Sequence, residues 1–384
     1  MRLLRTSALG AAALTGVLVL SACGSDNNSG PAAGGPAAGG PAGGGPTGGG
    51  PTGGAGAGTA AADCFSGTLS GEGSTAQKTA IEAAIKTFQS ACTGATVNYN
   101  ATGSGAGIKQ FTGKQVDFAG SDSSLKTSEA AAAKTSCGSD AWNLPMVAGP
   151  IAVAYNVKGV DKLVLNGDVT AKIFNGVITK WNDPAVAALN SGVTLPATDI
   201  KVFFRSDESG TTENFTQYLQ AAAPSSWTAA PGKKWTGKGE GKEKSAGVST
   251  AVVQTEGAIT YTELSYAEQN KLAMAQIDTG AGPVALTGES AGKAVAAAKQ
   301  VGTGNDLALK LDYGTKQAGA YPIILVTYEI VCSKYADAAK GKNVKAFLTT
   351  FASAGTQGGL SQLGYAPLPP EVQTKVQAAV NAIG

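Results

Sequence analysis

Three times between residues 68 and 134 the chain passes from a short apolar strand, through a turn of glycine and hydroxyl residues, into a helix. Thr68-Leu69-Ser70 leads through glycines to Ser74 and Thr75. Ile81, Ala84, Ile85 and Phe88 then fall at helical spacing, with Gly94 as the stop. Thr96-Val97-Asn98-Tyr99 alternates as a strand and ends in Thr102-Gly103-Ser104-Gly105-Ala106-Gly107, which opens a helix at Ile108. Val116 to Gly120 closes on Ser121-Asp122-Ser123-Ser124, and a helix follows through Glu129 to Lys134. Such alternation predicts an open α/β sheet whose functional edge lies at the carboxyl ends of its strands.

The rest of the chain predicts a second unit of the same kind. Met146 to Tyr155 is a long apolar strand able to cross into it. There a helix at Asp168–Phe174, a strand at Ile200–Phe204, a helix at Thr211–Ala222 and a strand at Ala258–Tyr261 follow, with a glycine- and lysine-rich solvated loop at Gly237–Lys244. Ile323 to Val331 is a second long apolar strand that would cross back, before a helix with Val344, Phe347, Leu348 and Phe351 on one face. The expected architecture is two open sheets with flanking helices, joined by two crossover strands, with a cleft between two lobes. The boundaries expected are residues 63–149 and 322–384 for the first lobe and 150–321 for the second.

The N-terminus belongs to neither lobe. Arg2 and Arg5 precede an apolar run from Ser7 to Leu20 that is shorter than the ~20 residues a spanning helix needs. Leu20-Ser21-Ala22-Cys23 follows, so residues 1–22 read as a lipoprotein signal and Cys23 as the lipidated first residue; a plain secretory signal is the other reading. Residues 23–62 are nearly all Gly, Pro, Ala, Ser and Thr, a composition that cannot bury a core and serves as a spacer. The reading is a protein tethered to the outer face of the cell membrane.

Removing the signal takes two of the 29 basic residues and none of the 27 acidic ones, leaving the remainder at formal neutrality. A neutral protein is a poor candidate for nucleic acid, and any anion it binds must be held by local charge. Four cysteines remain beyond Cys23. An even count in an exported chain reads as two disulfides. On the topology above, Cys64 and Cys92 precede neighbouring strands, while Cys137 precedes the outgoing crossover strand and Cys332 ends the returning one. The expected pairs are therefore Cys64–Cys92 and Cys137–Cys332. The chain has no histidine and no C-x-x-C, so neither a zinc site nor any other cofactor is expected.

Four polar turns converge on the expected cleft: Ser74-Thr75, Ser104, Asp122, and Arg205 with Ser209-Gly210-Thr211. Hydroxyls, helix N-terminal N–H groups and one guanidinium suit a tetrahedral oxyanion. Ser209 or Thr211 reads equally as an ordinary helix cap. Asp207 either holds the Arg205 guanidinium or sits as an acid at a helix start. Asp122 either caps the helix after it or accepts a hydrogen bond from a protonated ligand oxygen, which phosphate has near neutral pH and sulfate lacks. An enzyme is the reading of another class. Ser123-Ser124-Leu125-Lys126 matches S-x-x-K, a short pattern that arises easily by chance. Ser-His-Asp chemistry is excluded without histidine. Gly237-Lys238-Gly239-Glu240-Gly241-Lys242 departs from P-loop spacing.

Seven segments in register carry a resemblance to a known family. They are Gly73-Ser74-Thr75, Thr102 to Gly107, Phe118-Ala119-Gly120-Ser121-Asp122, Ile178-Thr179-Lys180-Trp181-Asn182-Asp183-Pro184, Arg205 to Thr211, Phe215-Thr216-Gln217-Tyr218-Leu219, and Tyr365-Ala366-Pro367-Leu368-Pro369. From about residue 66 to the C-terminus the chain resembles the phosphate-binding lipoproteins of the phosphate-specific ABC transporter. The resemblance implies a type II-like binding-protein fold that closes about a hinge, no enzymatic activity, a monomer, and delivery of inorganic phosphate to permease subunits. It implies ligand contacts from Ser74, Thr75, the backbone at Ala76, Ser104, Asp122, Arg205, Ser209, Gly210 and Thr211, with Asp207 orienting Arg205. Sulfate or molybdate is the alternative ligand. Two positions depart from the family pattern: Ala76 stands where an aromatic residue is frequent, and Glu208 where glycine is common.

Overall fold

The computed structural model describes residues 63–384; the signal segment, Cys23 and the spacer lie outside the described residues. Eight strands form one continuous path. In chain order they are β1 (Gly67–Gly73), β2 (Ala95–Ala101), β3 (Phe118–Ser121), β4 (Ala141–Asn156), β5 (Lys201–Arg205), β6 (Glu240–Lys242), β7 (Ala258–Glu263) and β8 (Ile324–Cys332). Their spatial order is β2-β1-β3-β8-β4-β7-β5-β6, and a short strand, Ala273–Met274, also pairs with β4. The first three run parallel, as strand–helix–strand connections require. Helix α1 (Lys78–Ala91) connects β1 to β2, and α2 (Ser104–Thr112) connects β2 to β3.

β4 joins the two halves. Its Ala141–Pro150 segment pairs antiparallel with β8, and its Ile151–Asn156 segment pairs antiparallel with β7. Every residue from Asn143 to Tyr155 is buried, which explains why this stretch reads as one apolar run instead of alternating. The expected pair of open sheets is thus fused edge to edge through one strand. The chain returns at Ile323 and Ile324, opposite Ile151 and Pro150. Two large apolar clusters flank this junction. One gathers Phe88, Phe118, Leu144, Phe347 and Val376; the other gathers Tyr155, Trp181, Phe215, Trp227 and Ile259.

Helix α3 (Thr127–Cys137) follows β3, and α4 (Gly167–Phe174) opens the second half. There α5 (Gly210–Ala222) follows β5, and α6 (Lys244–Gln254) follows β6. One expectation fails. The glycine- and lysine-rich segment is not a free loop: Glu240–Lys242 pairs parallel with Phe203–Arg205 as the edge strand β6. A lysine-bearing edge strand resists further pairing, and that is why its composition reads as solvated loop.

Cys64 bonds Cys92, and Cys137 bonds Cys332. Both bridges sit at the strand ends opposite the polar turns. They close sequence separations of 28 and 195 residues. On chain entropy these correspond to about 3.5 and about 5 kcal/mol. Paired Cys→Ala replacement at 137 and 332 is expected to lower the melting temperature more than the same change at 64 and 92, read by thermal melts without reductant. Among the described residues, no helix is long and apolar enough to cross a membrane, and no cluster of acid or thiol side chains could hold a metal ion.

Candidate anion-binding site

Four strands end in the turns that build the site. β1 delivers Ser74, Thr75 and Ala76; β2 delivers Ser104; β3 delivers Asp122; β5 delivers Arg205 and, through Asp207, the start of α5. The glycines of the second turn have a packing reason. A Cβ on Gly107 would stand 2.4 Å from the Glu72 carbonyl oxygen, so only glycine lets α2 lie against β1. Ser74, Thr75, Ser104, Asp122, Arg205, Ser209 and Thr211 are all 3% exposed or less, so the cluster is sealed from solvent.

Asp122 is the centre of the first half. Its Oδ1 accepts from the Ser74 hydroxyl and, at 2.8 Å, from Thr327; its Oδ2 accepts from Ser104 at 3.1 Å. It caps no helix, since α3 begins five residues later with Lys126 at its N-cap. Burial pushes the Asp122 carboxyl up to about 6, with the Ser74 hydroxyl drawing it back and the nearby Glu263 adding to the rise. At neutral pH it is still an acceptor.

Arg205 is the cation of the second half. Its Nε donates to Asp207 Oδ1 at 2.7 Å and a terminal nitrogen donates to Asp207 Oδ2, a fork-to-fork pair. The other terminal nitrogen donates to Ser245 at 3.0 Å. Burial opposes both charges, yet the pairing wins: Arg205 lies above its ordinary pKa and Asp207 below. Asp207 also accepts from the Lys244 backbone N–H at 2.9 Å, so it anchors the guanidinium to the first turn of α6. The start of α5 is capped by Ser209, which accepts from Thr212 N–H at 3.2 Å while its own proton remains available to a ligand.

The two halves meet through these same groups. Gly210 N–H donates to Ser104 at 3.2 Å, Thr75 bonds Ser245 at 2.8 Å, and Asn214 donates to the Asp122 carbonyl at 2.7 Å. Lys109–Glu208 at 2.6 Å and Lys233–Glu129 at 2.9 Å bridge nearby. The two departures from the family pattern fit in. Tyr365 and Tyr266 donate to the carbonyls of Ala76 and Thr75 at 2.8 and 3.3 Å, flanking the small side chain. Glu208 directs its carboxylate to Lys109 and Lys234 and leaves its carbonyl to Gly105 N–H.

The nine expected contact positions and Asp207 lie together in the structure, and Ser245, Glu263, Thr327 and Asn214, which the sequence did not single out, join them. Glu263 is fully buried; it accepts from the Thr211 hydroxyl through Oε1, and its Oε2 has no partner. Ser245 had a usable signal, a serine opening a helical apolar pattern at Val248, Ala251 and Val252. The S-x-x-K pattern does not make a Ser–Lys pair: Ser123 and Lys126 both turn to Glu213, at 3.0 and 3.1 Å.

A family model described as the PBP superfamily domain matches residues 53–354. The chain is 50% identical to phosphate-binding protein PstS 3 of Mycobacterium tuberculosis, over the whole of both chains. The chain belongs to the PstS family. The corresponding Mycobacterium leprae protein is 49% identical over 96% of each chain. Among solved structures, a high-affinity periplasmic phosphate-binding protein bound with phosphate superposes with TM-score 0.67 and 22% identity, covering 81% of this chain and 93% of that one. That likeness supports the fold: PstS architecture places four strand-end turns and two helix starts around one sealed point.

Proposed function

We propose that this chain binds inorganic phosphate between its two halves and delivers it to an ABC importer. Asp122 carries the reading. A buried carboxylate ringed by three hydroxyls suits a neighbouring anion only if that anion brings a proton, and phosphate does. Ser74, Thr75, Ala76, Ser104, Ser209, Gly210, Thr211 and Arg205 supply the donors; Asp122 accepts from P–OH; Asp207 orients Arg205. Residues 63–149 with 322–384 form one lobe and 150–321 the other, and parting the contacts across the junction admits the ligand. Residues 1–22 are removed, and Cys23 anchors the monomer to the outer face of the membrane, with 23–62 as tether. Equilibrium dialysis against labelled phosphate tests the central claim: one phosphate per chain is expected, with no release of nitrophenol from p-nitrophenyl phosphate. Turnover above a blank would move the reading to an enzyme.

Gly210 provides a closing test. A Cβ there would stand 2.6 Å from both Asp122 Cβ and Ser104 Oγ, a clash between the halves. Overpacking of this kind costs about 1–3 kcal/mol. Gly210→Ala is expected to weaken phosphate roughly ten- to a hundredfold. The melting temperature without phosphate should change little, because opening relieves the clash.

A further inference from the structure

Behind the site lies a second buried carboxyl that the phosphate reading does not use. Glu329 sits in β8, opposite Gly120 on one side and Leu144 on the other. It is fully buried, makes no ion pair among the described residues, and neither carboxyl oxygen has a hydrogen-bond partner. The neighbouring Gln77 amide is also fully buried, and its Oε1 lacks a donor. Gly120 makes room for this meeting: a Cβ there would fall 2.2 Å from Gln77 Nε2 and 2.3 Å from the Tyr99 hydroxyl.

These orphans resolve together in one way. Gln77 Nε2 donates to the Tyr99 hydroxyl at 3.0 Å, and Tyr99 donates to the Ser74 carbonyl at 2.9 Å. A carboxylate has no proton to offer Gln77 Oε1, whereas a carboxylic acid has. Turning the second amide N–H to a Glu329 carboxylate leaves Oε1 bare and a charge buried without a cation. We propose that Glu329 is kept as the neutral acid, donates to Gln77 Oε1, and is thereby a positioning residue that holds the Ser74–Ala76 turn against the ligand.

The chain Glu329–Gln77–Tyr99–Ser74 ends on the residue whose hydroxyl reaches Asp122. The titratable groups facing Glu329 are Asp122, whose charge disfavours a second negative charge there, and Tyr99, a phenol held neutral by burial, with Glu72 beyond it. Burial pushes the Glu329 carboxyl up to about 8, with the neighbouring Gln77 amide drawing it back and Asp122 adding to the rise. Loss of the proton would remove the donor and place a second negative charge behind Asp122.

The inference rests on the phosphate reading only for its effect on affinity. The test compares the wild-type protein with Glu329→Gln, whose amide N–H can still donate to Gln77. Because the folded group holds its proton while the unfolded one has lost it, wild-type stability should fall with rising pH between about 4.5 and 8. Glu329→Gln should lack that slope between about pH 6 and 8 in ligand-free thermal melts, the range above the Asp122 titration where Glu329 alone contributes. Infrared difference spectra at pH 7 should show a neutral carboxylic acid in wild type that is absent from Glu329→Gln and fades above pH 8. Calorimetry with inorganic phosphate should find matched affinities at pH 6.5 and, by pH 9, a wild type weakened roughly tenfold more than the variant. Superimposable melting slopes and no neutral-acid band would overturn the proposal. Failure of both proteins to bind phosphate at any pH would instead remove the phosphate reading, while melts and spectra still decide the state of Glu329.

Discussion

Arg205→Ala is expected to abolish measurable phosphate binding and to destabilise the protein. Arg205 is 2% exposed and is the sole cation whose head group lies within the described hydrogen-bond cluster. Losing it removes a charged donor, worth about 1.5–3 kcal/mol. It also leaves Asp207 and the fully buried Glu263 without their neighbouring cation. Breaking one side of a buried pair costs about 3–5 kcal/mol. The site's carboxylates are left with no cation among them, so an incoming anion meets stronger repulsion. The expected loss in affinity is therefore beyond a hundredfold, seen by calorimetry, with a clear fall in melting temperature. Arg205→Lys should recover part of the stability but little of the affinity, because an ammonium cannot hold Asp207 with a fork and still reach Ser245. Binding within threefold of wild type in Arg205→Ala would remove Arg205 from the site.

The second large effect is on choice of ligand. Asp122→Asn is expected to leave phosphate weakened and to admit sulfate. In wild type, a sulfate oxygen facing Asp122 has no proton to share, and two buried acceptors confront each other. Asparagine replaces one acceptor oxygen with an N–H donor and removes the repulsion. Hydrogen bonds to charged groups are worth about 1.5–3 kcal/mol, so the phosphate-to-sulfate preference should narrow by roughly 10- to 150-fold. Acid should imitate the substitution. With Asp122 titrating at about 6, discrimination is fully present above that pH and declines as pH falls through it. Unchanged sulfate exclusion in Asp122→Asn would assign selectivity to another residue, with Glu263 the nearest candidate.

The four polar turns, Ser74-Thr75, Ser104, Asp122 and Arg205 with Ser209-Gly210-Thr211, were legible because each follows a strand and leads toward a helix, and that handover has a local signature of glycine and hydroxyl residues; Ala76 entered only through the family resemblance. Asp207 was legible by its two-residue distance from Arg205. The residues that were missed have no such signature. Thr327 lies inside β8 and reaches Asp122 only because β8 pairs antiparallel with β3. Glu263 ends β7 and meets Thr211 across 52 residues. Glu329 is the one charged residue in an otherwise largely apolar strand, and only its burial beside Gln77 gives it meaning. The error at Glu240–Lys242 has the same origin. Edge pairing depends on where β5 lies in space, and three polar residues carry no periodic pattern to announce it.

The central claim is that Arg205 and the helix starts provide attraction while Asp122 demands a proton on the ligand. Calorimetric titration of the protein at pH 7.5, first with inorganic phosphate and then with sulfate, tests it most directly. The account predicts one tightly bound phosphate per chain, no heat of sulfate binding, and an unchanged phosphate isotherm in excess sulfate. Sulfate binding of comparable affinity, or displacement of phosphate by sulfate, would contradict it.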